Sequence, residues 1–146
     1  MVSESLAQFD IAPFLRDLAN NIVAASGSSD VGVTVDAASQ MVNFDMAIPL
    51  GLLVAELMTN ALKHAFPSRK GQISILLAQA DEGVMTLTVS DNGTGAEGAE
   101  PSSFARKGSL GMTIIKGLGA QLGATMTVSR TSGTQYRFLI PTPMPT

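Results

Sequence analysis

The run Gly51-Leu52-Leu53-Val54-Ala55-Glu56-Leu57-Met58-Thr59-Asn60-Ala61-Leu62-Lys63-His64-Ala65-Phe66 decides the fold of this chain. Its reactive side chains fall at Glu56, Asn60, Lys63 and His64, in steps of four, three and one. A helical residue advances by about 100°, so these steps gather all four on one narrow face. The opposite face carries Val54, Leu57, Met58, Ala61 and Ala65, a core stripe. A largely apolar helix that aligns a carboxylate, an amide, an ammonium and an imidazole is suited to meet a ligand. Two glycine clusters follow, Asp91-Asn92-Gly93-Thr94-Gly95 and Gly108-Ser109-Leu110-Gly111, separated by a polar stretch. Together the three pieces point to a nucleotide.

Outward from that helix, periodicity supplies the remaining elements. Ile11 to Ala25 has helical spacing at Phe14, Leu15, Leu18, Ile22 and Val23, with Pro13 in its first turn. Ser26-Gly27-Ser28-Ser29-Asp30 ends it. Val31, Val33 and Val35 alternate with small or polar residues, and Met41 to Phe44 follows a short polar turn, which predicts a β-hairpin. Asp45 is the expected cap of the long helix, with Pro49 tolerated in its first turn and Pro67 just beyond its end near Phe66.

Gln72 to Ala80 and Val84 to Ser90 read as a second hairpin around Asp81-Glu82-Gly83. Residues 92–107 are polar and rich in Gly, Ser and Pro, longer than an ordinary connection of about 4–6 residues, and read as a lid. A helix from Leu110 to Leu122 precedes strands at Thr125 to Arg130 and Gln135 to Ile140. Hairpin strands favour a mixed, mostly antiparallel sheet with all three helices on one face, a two-layer α/β sandwich. At 146 residues, with no internal repeat, the expectation is one domain over residues 1–146.

Composition narrows the partners. The chain is 45% hydrophobic and only 14% charged, which suits a compact globule rather than a disordered tail. A net charge of −3, with no basic patch, no Trp and a single Tyr136, argues against a nucleic-acid surface. There is no cysteine, hence no disulfide or thiolate metal site. The first dozen residues contain Glu4 and Asp10 and no basic start, unlike a secretory leader. Ile48 to Met58 is short and interrupted by Glu56, whereas a bilayer span needs about 20 apolar residues. A soluble, cytoplasmic chain is expected.

The pattern Glu56-x3-Asn60-Ala61-x-Lys63-His64 resembles the N-box of the GHKL ATPase superfamily, which includes DNA gyrase, heat-shock chaperone ATPases, mismatch-repair ATPases and sensor histidine kinases. Asp91 to Gly95 resembles the first glycine box, Gly108 to Met112 the second, and Gly133-Thr134 the terminal Gly-Thr pair. The ordered match runs from about residue 10 to 141. Ala47-Ile48-Pro49-Leu50-Gly51-Leu52, the run through Phe66-Pro67, and Ser109-Leu110-Gly111 followed by Gln121-Leu122-Gly123 are similar to the bacterial histidine kinases with a short lid and no F-box. The chain departs from that pattern at Ala124, where relatives often carry a second glycine.

The resemblance implies an ATP-binding catalytic domain with a Bergerat-type fold. It implies that Asp91 reads the exocyclic amine of adenine, that Gly93 and Gly95 admit the ring through close approach and φ > 0, and that Thr134 supports the base. Gly108, Ser109, Leu110 and Gly111, at a helix N-terminus, would take phosphate oxygens. Asn60 would offer its oxygen to Mg2+, Lys63 or Lys107 would neutralise phosphate, and His64 would lie on the phosphate or lid side. Glu56 is the candidate general base, or the group that orients the nucleophile.

His64, the sole histidine, sits inside the N-box and is not a phosphoacceptor. The implied acceptor is a histidine on a separate dimerisation domain, absent from residues 1–146, with a response regulator downstream; the piece itself is expected to be monomeric. An anti-sigma-factor serine kinase of the same fold is the alternative, and a degenerate module that binds partners without catalysis is another.

Overall fold

The computed structural model of the protein describes residues 8–27, 30–64, 66, 70–93 and 110–142. Among these, the helices are α1 (Ile11–Ser26), α2 (Phe44–His64) and α3 (Leu110–Gln121). The strands are β1 (Gln8–Asp10), β2 (Asp30–Ala37), β3 (Met41–Asn43), β4 (Lys70–Asp81), β5 (Val84–Asp91), β6 (Thr125–Ser129) and β7 (Thr134–Pro141). The main sheet runs β2-β4-β5-β7-β6, with β1 and β3 forming a separate pair. Only β2 and β4 are parallel; every other pairing is antiparallel.

Strand alternation sorts the two faces. Ile73, Ile75 and Leu77 of β4, Met85, Leu87 and Val89 of β5, and Phe138 and Ile140 of β7 are each at most 3% exposed. Leu76 and Leu139, one residue out of step, are 41% exposed. One face therefore carries the helices and the other meets solvent, the two-layer arrangement expected from the hairpins. From α1 come Ile11, Leu15 and Ala19, and from α2 Leu50, Leu53, Val54, Leu57 and Met58.

The first hairpin does not form. β2 lies beside β4 in parallel, Val33 opposite Ile73 and Val35 opposite Ile75, and Ala38 N–H continues that ladder to the Leu77 carbonyl at 3.0 Å. β3 instead pairs with β1, Phe9 opposite Val42. The segment between β2 and β3, Ala38-Ser39-Gln40, contains none of the Gly or Asn residues that close a tight hairpin. The valines of β2 satisfy their inward alternation equally well against β4. Asp10, the α1 N-cap, ties this corner together: its carboxylate accepts bonds from Ala12 N–H, Ser39 Oγ and Gln40 N–H, and those bonds hold it below the usual carboxylate range.

The long helix also begins earlier than its sequence suggests. Asn43, rather than Asp45, caps α2 through a 3.1 Å bond from Met46 N–H to its Oδ1. Asp45 occupies the first turn, and Pro49 lies within the helix proper. With 21 residues and a mean hydropathy of 1.3, α2 is long and apolar enough to cross a membrane, contrary to the expectation drawn from Ile48 to Met58. Its apolar residues at the core stripe are explained by packing under the sheet, since Leu50, Leu53, Val54 and Met58 are all 0% exposed.

α3 ends in a Schellman turn. Gly123, at φ 69°, donates to the Ala120 carbonyl at 3.0 Å and Ala124 donates to Gly119 at 2.9 Å. The left-handed residue is Gly123, so alanine at position 124 leaves the turn undisturbed.

Phe138 lies at the centre of the inner face, paired with Leu87 and Met126 and 0% exposed. Phe138→Ala should destabilise the fold by about 3–5 kcal/mol, the range for removing a fully buried aromatic ring. Urea unfolding checks this as a drop in midpoint with little change in slope.

Candidate functional site

Asp91 is the last residue of β5 and falls in step with the inward set Met85, Leu87 and Val89. Alternation thus turns a carboxylate toward the helix-covered side, where it is half-buried. Two backbone donors hold it: Gly93 N–H and Thr134 N–H reach Oδ1 at 3.0 and 3.3 Å. Burial nevertheless dominates and pushes the Asp91 carboxyl above its ordinary value, while these two bonds and the Arg130 charge pull it back down. Both of these backbone bonds fall on the same oxygen, Oδ1.

The turn that brings Thr134 to Asp91 depends on Gly133. At φ 95° it lies in the left-handed region, and a Cβ there would run into the Asp91 carbonyl oxygen. Thr134 itself is 8% exposed and sits opposite Asp91 in the β5–β7 register. Asn92 ties the strand end to β4, accepting Gln72 N–H on Oδ1 at 2.8 Å and returning its own N–H to the Gln72 carbonyl at 3.2 Å. Gly93, expected to use φ > 0, is not among the described glycines with left-handed backbone and contributes its N–H instead.

A second group forms where α2 meets α3. Glu56 and Asn60, one turn apart and half-buried, converge on Gly111: a Cβ added there would lie 2.7 Å from Glu56 Oε2 and 3.1 and 3.2 Å from Asn60 Oδ1 and Nδ2. Glycine at 111 therefore leaves the room in which these two side chains sit. Among the described residues neither side chain is committed to a hydrogen bond, so both remain available to a ligand. Lys63 and His64, at the end of α2, are exposed, and Leu110 opens α3 at 72% exposure. No cluster of three or more His, Cys, Asp or Glu suited to a metal occurs among the described residues. A cation bound between these described groups would draw on Asn60 and the ligand's own oxygens.

Gly95, Lys107, Gly108 and Ser109, together with the rest of the expected lid, lie outside the described residues. Sequence reasoning also missed two residues beside Asp91. Tyr136 follows Thr134 on the inner side of β7, opposite Val89, and burial pushes its hydroxyl above the ordinary value. Arg130, just past β6, acts electrostatically on both Asp91 and Tyr136. Counting back by twos from Phe138 would have found Tyr136.

A cavity of about 370 Å3 adjoins Asp91 and Thr134, but its other walls include Gln72, Ser74, Ser90 and Gln135. Those residues alternate onto the solvent-facing side of the sheet, away from Glu56 and Asn60. Strand register is the firmer guide to where Asp91 points, because it rests on an unbroken ladder from Val84 to Asp91. The sheet end thus borders two spaces, one polar and open, the other under the helices.

Comparison with known proteins bears on these groupings. The chain is 33% identical over 121 residues to blue-light-activated histidine kinase 2 of Erythrobacter litoralis, spanning 82% of this chain but 34% of that protein. The solved histidine kinase domain of a blue-light-activated histidine kinase from Erythrobacter litoralis superposes with a TM-score of 0.80 at 31% identity, covering 91% of this chain and 61% of that one. A mycobacterial sensor histidine kinase shares the fold, with a TM-score of 0.70 at 21% identity over 94% of this chain and 99% of that one. The chain spans about a third of the curated relative and about three fifths of the first of these structures. Residues 45–144, from the first turn of α2 through β7, match the family model of the histidine kinase-, DNA gyrase B- and HSP90-like ATPases, and the chain belongs to that family.

Proposed function

We propose that this chain is the ATP-binding catalytic domain of a two-component sensor histidine kinase, acting in the cytoplasm on a histidine carried by a separate dimerisation domain. A response regulator then takes the phosphoryl group. The observation that carries this reading is Asp91: strand alternation drives an ionisable group inward, where burial disfavours its charge. Stability alone does not call for that arrangement, whereas a ligand that donates to the carboxylate does. The exocyclic amine of adenine is such a donor, and Oδ2 is the oxygen that the two backbone bonds leave to accept it.

On α2, Asn60 offers a neutral oxygen beside the Glu56 carboxylate, a donor pair that fits Mg2+ because that ion takes few protein ligands and keeps its waters or phosphate oxygens. When bound, Mg2+ neutralises charge on the phosphates. Glu56 holds the incoming imidazole by accepting its N–H, which orients the other ring nitrogen toward phosphorus. The start of α3, from Gly108 to Gly111, supplies N–H groups and a favourable dipole for phosphate oxygens. Lys63 and Lys107 add positive charge, and His64 lies near that end of α2.

Asp91→Asn separates stability from function. The raised pKa means that the carboxyl contributes stability fully below its unfolded value and loses it as pH rises through the folded value. At pH 7.5 the amide should therefore raise Tm, since its Oδ1 still accepts both N–H bonds, and the gain should shrink as the solution is acidified. ADP affinity should fall roughly 10- to 100-fold, the cost of leaving a buried donor facing a donor. Thermal melts over pH and calorimetric titration check the two effects together; a variant that is no more stable and binds ADP as the parent does would remove Asp91 from the base site.

Asn60 and Glu56 should give different signatures. Asn60→Ala should weaken magnesium-dependent ATP binding and phosphotransfer in parallel. Glu56→Gln should leave ATP affinity nearly unchanged while slowing phosphotransfer to an added acceptor domain by roughly 10²–10⁴-fold. Loss of ATP by Glu56→Gln, with its rate per bound ATP retained, would make Glu56 a binding residue.

A further inference from the structure

The residue that follows β6 holds a position unusual for a long cationic side chain. Inward positions on β7 are Thr134, Tyr136 and Phe138, and on β6 Met126 and Val128, set by the pairs Met126 with Phe138 and Val128 with Tyr136. Continuing that alternation past Val128 brings Arg130 to the end of the inner face, where Asp91 and Thr134 lie opposite each other. The Arg130 Nε and Nη1 atoms are shielded from solvent, so its head lies in protein rather than extending into water. Desolvating a guanidinium is costly unless an opposite charge is near. The carboxylate of Asp91 and the hydroxyl of Tyr136 are groups on which its charge is felt.

We propose that Arg130 is a positioning residue for nucleotide recognition, holding Asp91 in the ionised, inward-facing state that accepts the base. The inference rests on the reading of Asp91 as the base-binding residue. Gly133 packs the 130–133 turn against the Asp91 backbone, and Thr134 N–H fixes one carboxylate oxygen. Arg130, on the same turn, supplies the charge that favours the anion. Burial works against it, so without Arg130 the carboxyl would take up a proton at a higher pH, and a protonated carboxyl presents one acceptor fewer to an amine.

Other charged groups around Asp91 do not duplicate this. On β4, Ile73 faces Asp91 across the ladder, and Lys70 is exposed at the strand start. On β7, Arg137 is exposed on the solvent side of the sheet. From the helices, Glu56 turns toward Gly111, and Lys63 and His64 are exposed at the end of α2. Tyr136 is kept neutral by its raised pKa near pH 7 and adds no positive charge.

The test uses the whole chain with R130M, R130Q, R130K and D91N. The Asp91 carboxyl is titrated by carbon NMR without nucleotide, and ADP affinity is measured by calorimetry between pH 5 and pH 8. R130M should move the Asp91 midpoint upward and lose several-fold more ADP affinity on acidification than the parent, and R130K should restore the parental profile. R130Q, which keeps a polar head without charge, should behave like R130M and serves if R130M does not fold. An unchanged Asp91 midpoint in the neutral variants overturns the inference, as does an affinity loss that is the same at every pH. Should D91N bind ADP like the parent, the base-reading assignment fails, and the NMR midpoint still reports separately on Arg130.

Discussion

A carboxylate placed where burial opposes its charge is the constraint around which this fold is arranged. Asp91 closes β5 in register with the most buried residues of the sheet, and the period of two gives its side chain no outward option. Its neighbours keep it there: the Gly93 and Thr134 N–H groups on Oδ1, the left-handed backbone of Gly133 against its carbonyl, and the two reciprocal bonds between Asn92 and Gln72 that stop the strand end from fraying. A carboxylate that only capped a turn would stand better in water. The expense of its burial is intelligible once a donor-bearing ligand completes the set.

The second half of the site follows from helix geometry. Four residues between Glu56 and Asn60 put both on the same side of α2, and α3 crosses that side at a glycine. A side chain at 111 would occupy the space of the carboxylate and the amide, so the close approach of the two helices and the availability of the two polar groups are one feature. The apolar remainder of α2 is what makes such a placement possible. With Leu53, Val54, Leu57 and Met58 locked in the core, the helix cannot rotate to hide Glu56 and Asn60 or release them to solvent.

Much of this was legible in the residues. The α2 stripe, the β4–β5 pair, α3 and the last two strands follow from periods of 3.6 and 2, and Asp91, Glu56 and Asn60 stand out because they break apolar runs at functional spacing. What periodicity cannot encode is partner choice. Val31, Val33 and Val35 alternate identically whether they pair with the next strand or with one 40 residues away, so the expected hairpin became a parallel pair with β4. Helix starts are equally local: Asn43 and Asp45 are both good caps, and the β1–β3 pairing decides between them by ending β3 at Asn43. Arg130 and Tyr136 were missed because their significance lies in register across β6, β7 and β5, which no single stretch of sequence carries.

If Asp91 reads the base, the nucleotide lies on the helix-covered side of the sheet end, not in the open polar cavity behind it. Amide chemical-shift mapping with ADP and Mg2+ addresses this directly. The largest changes should fall at Gly93, Gly111 and Thr134, with Thr34, Ser74 and Ser129 on the opposite face nearly unmoved. Changes centred on Ser74, Ser129 and Gln135, with Gly111 silent, would contradict it.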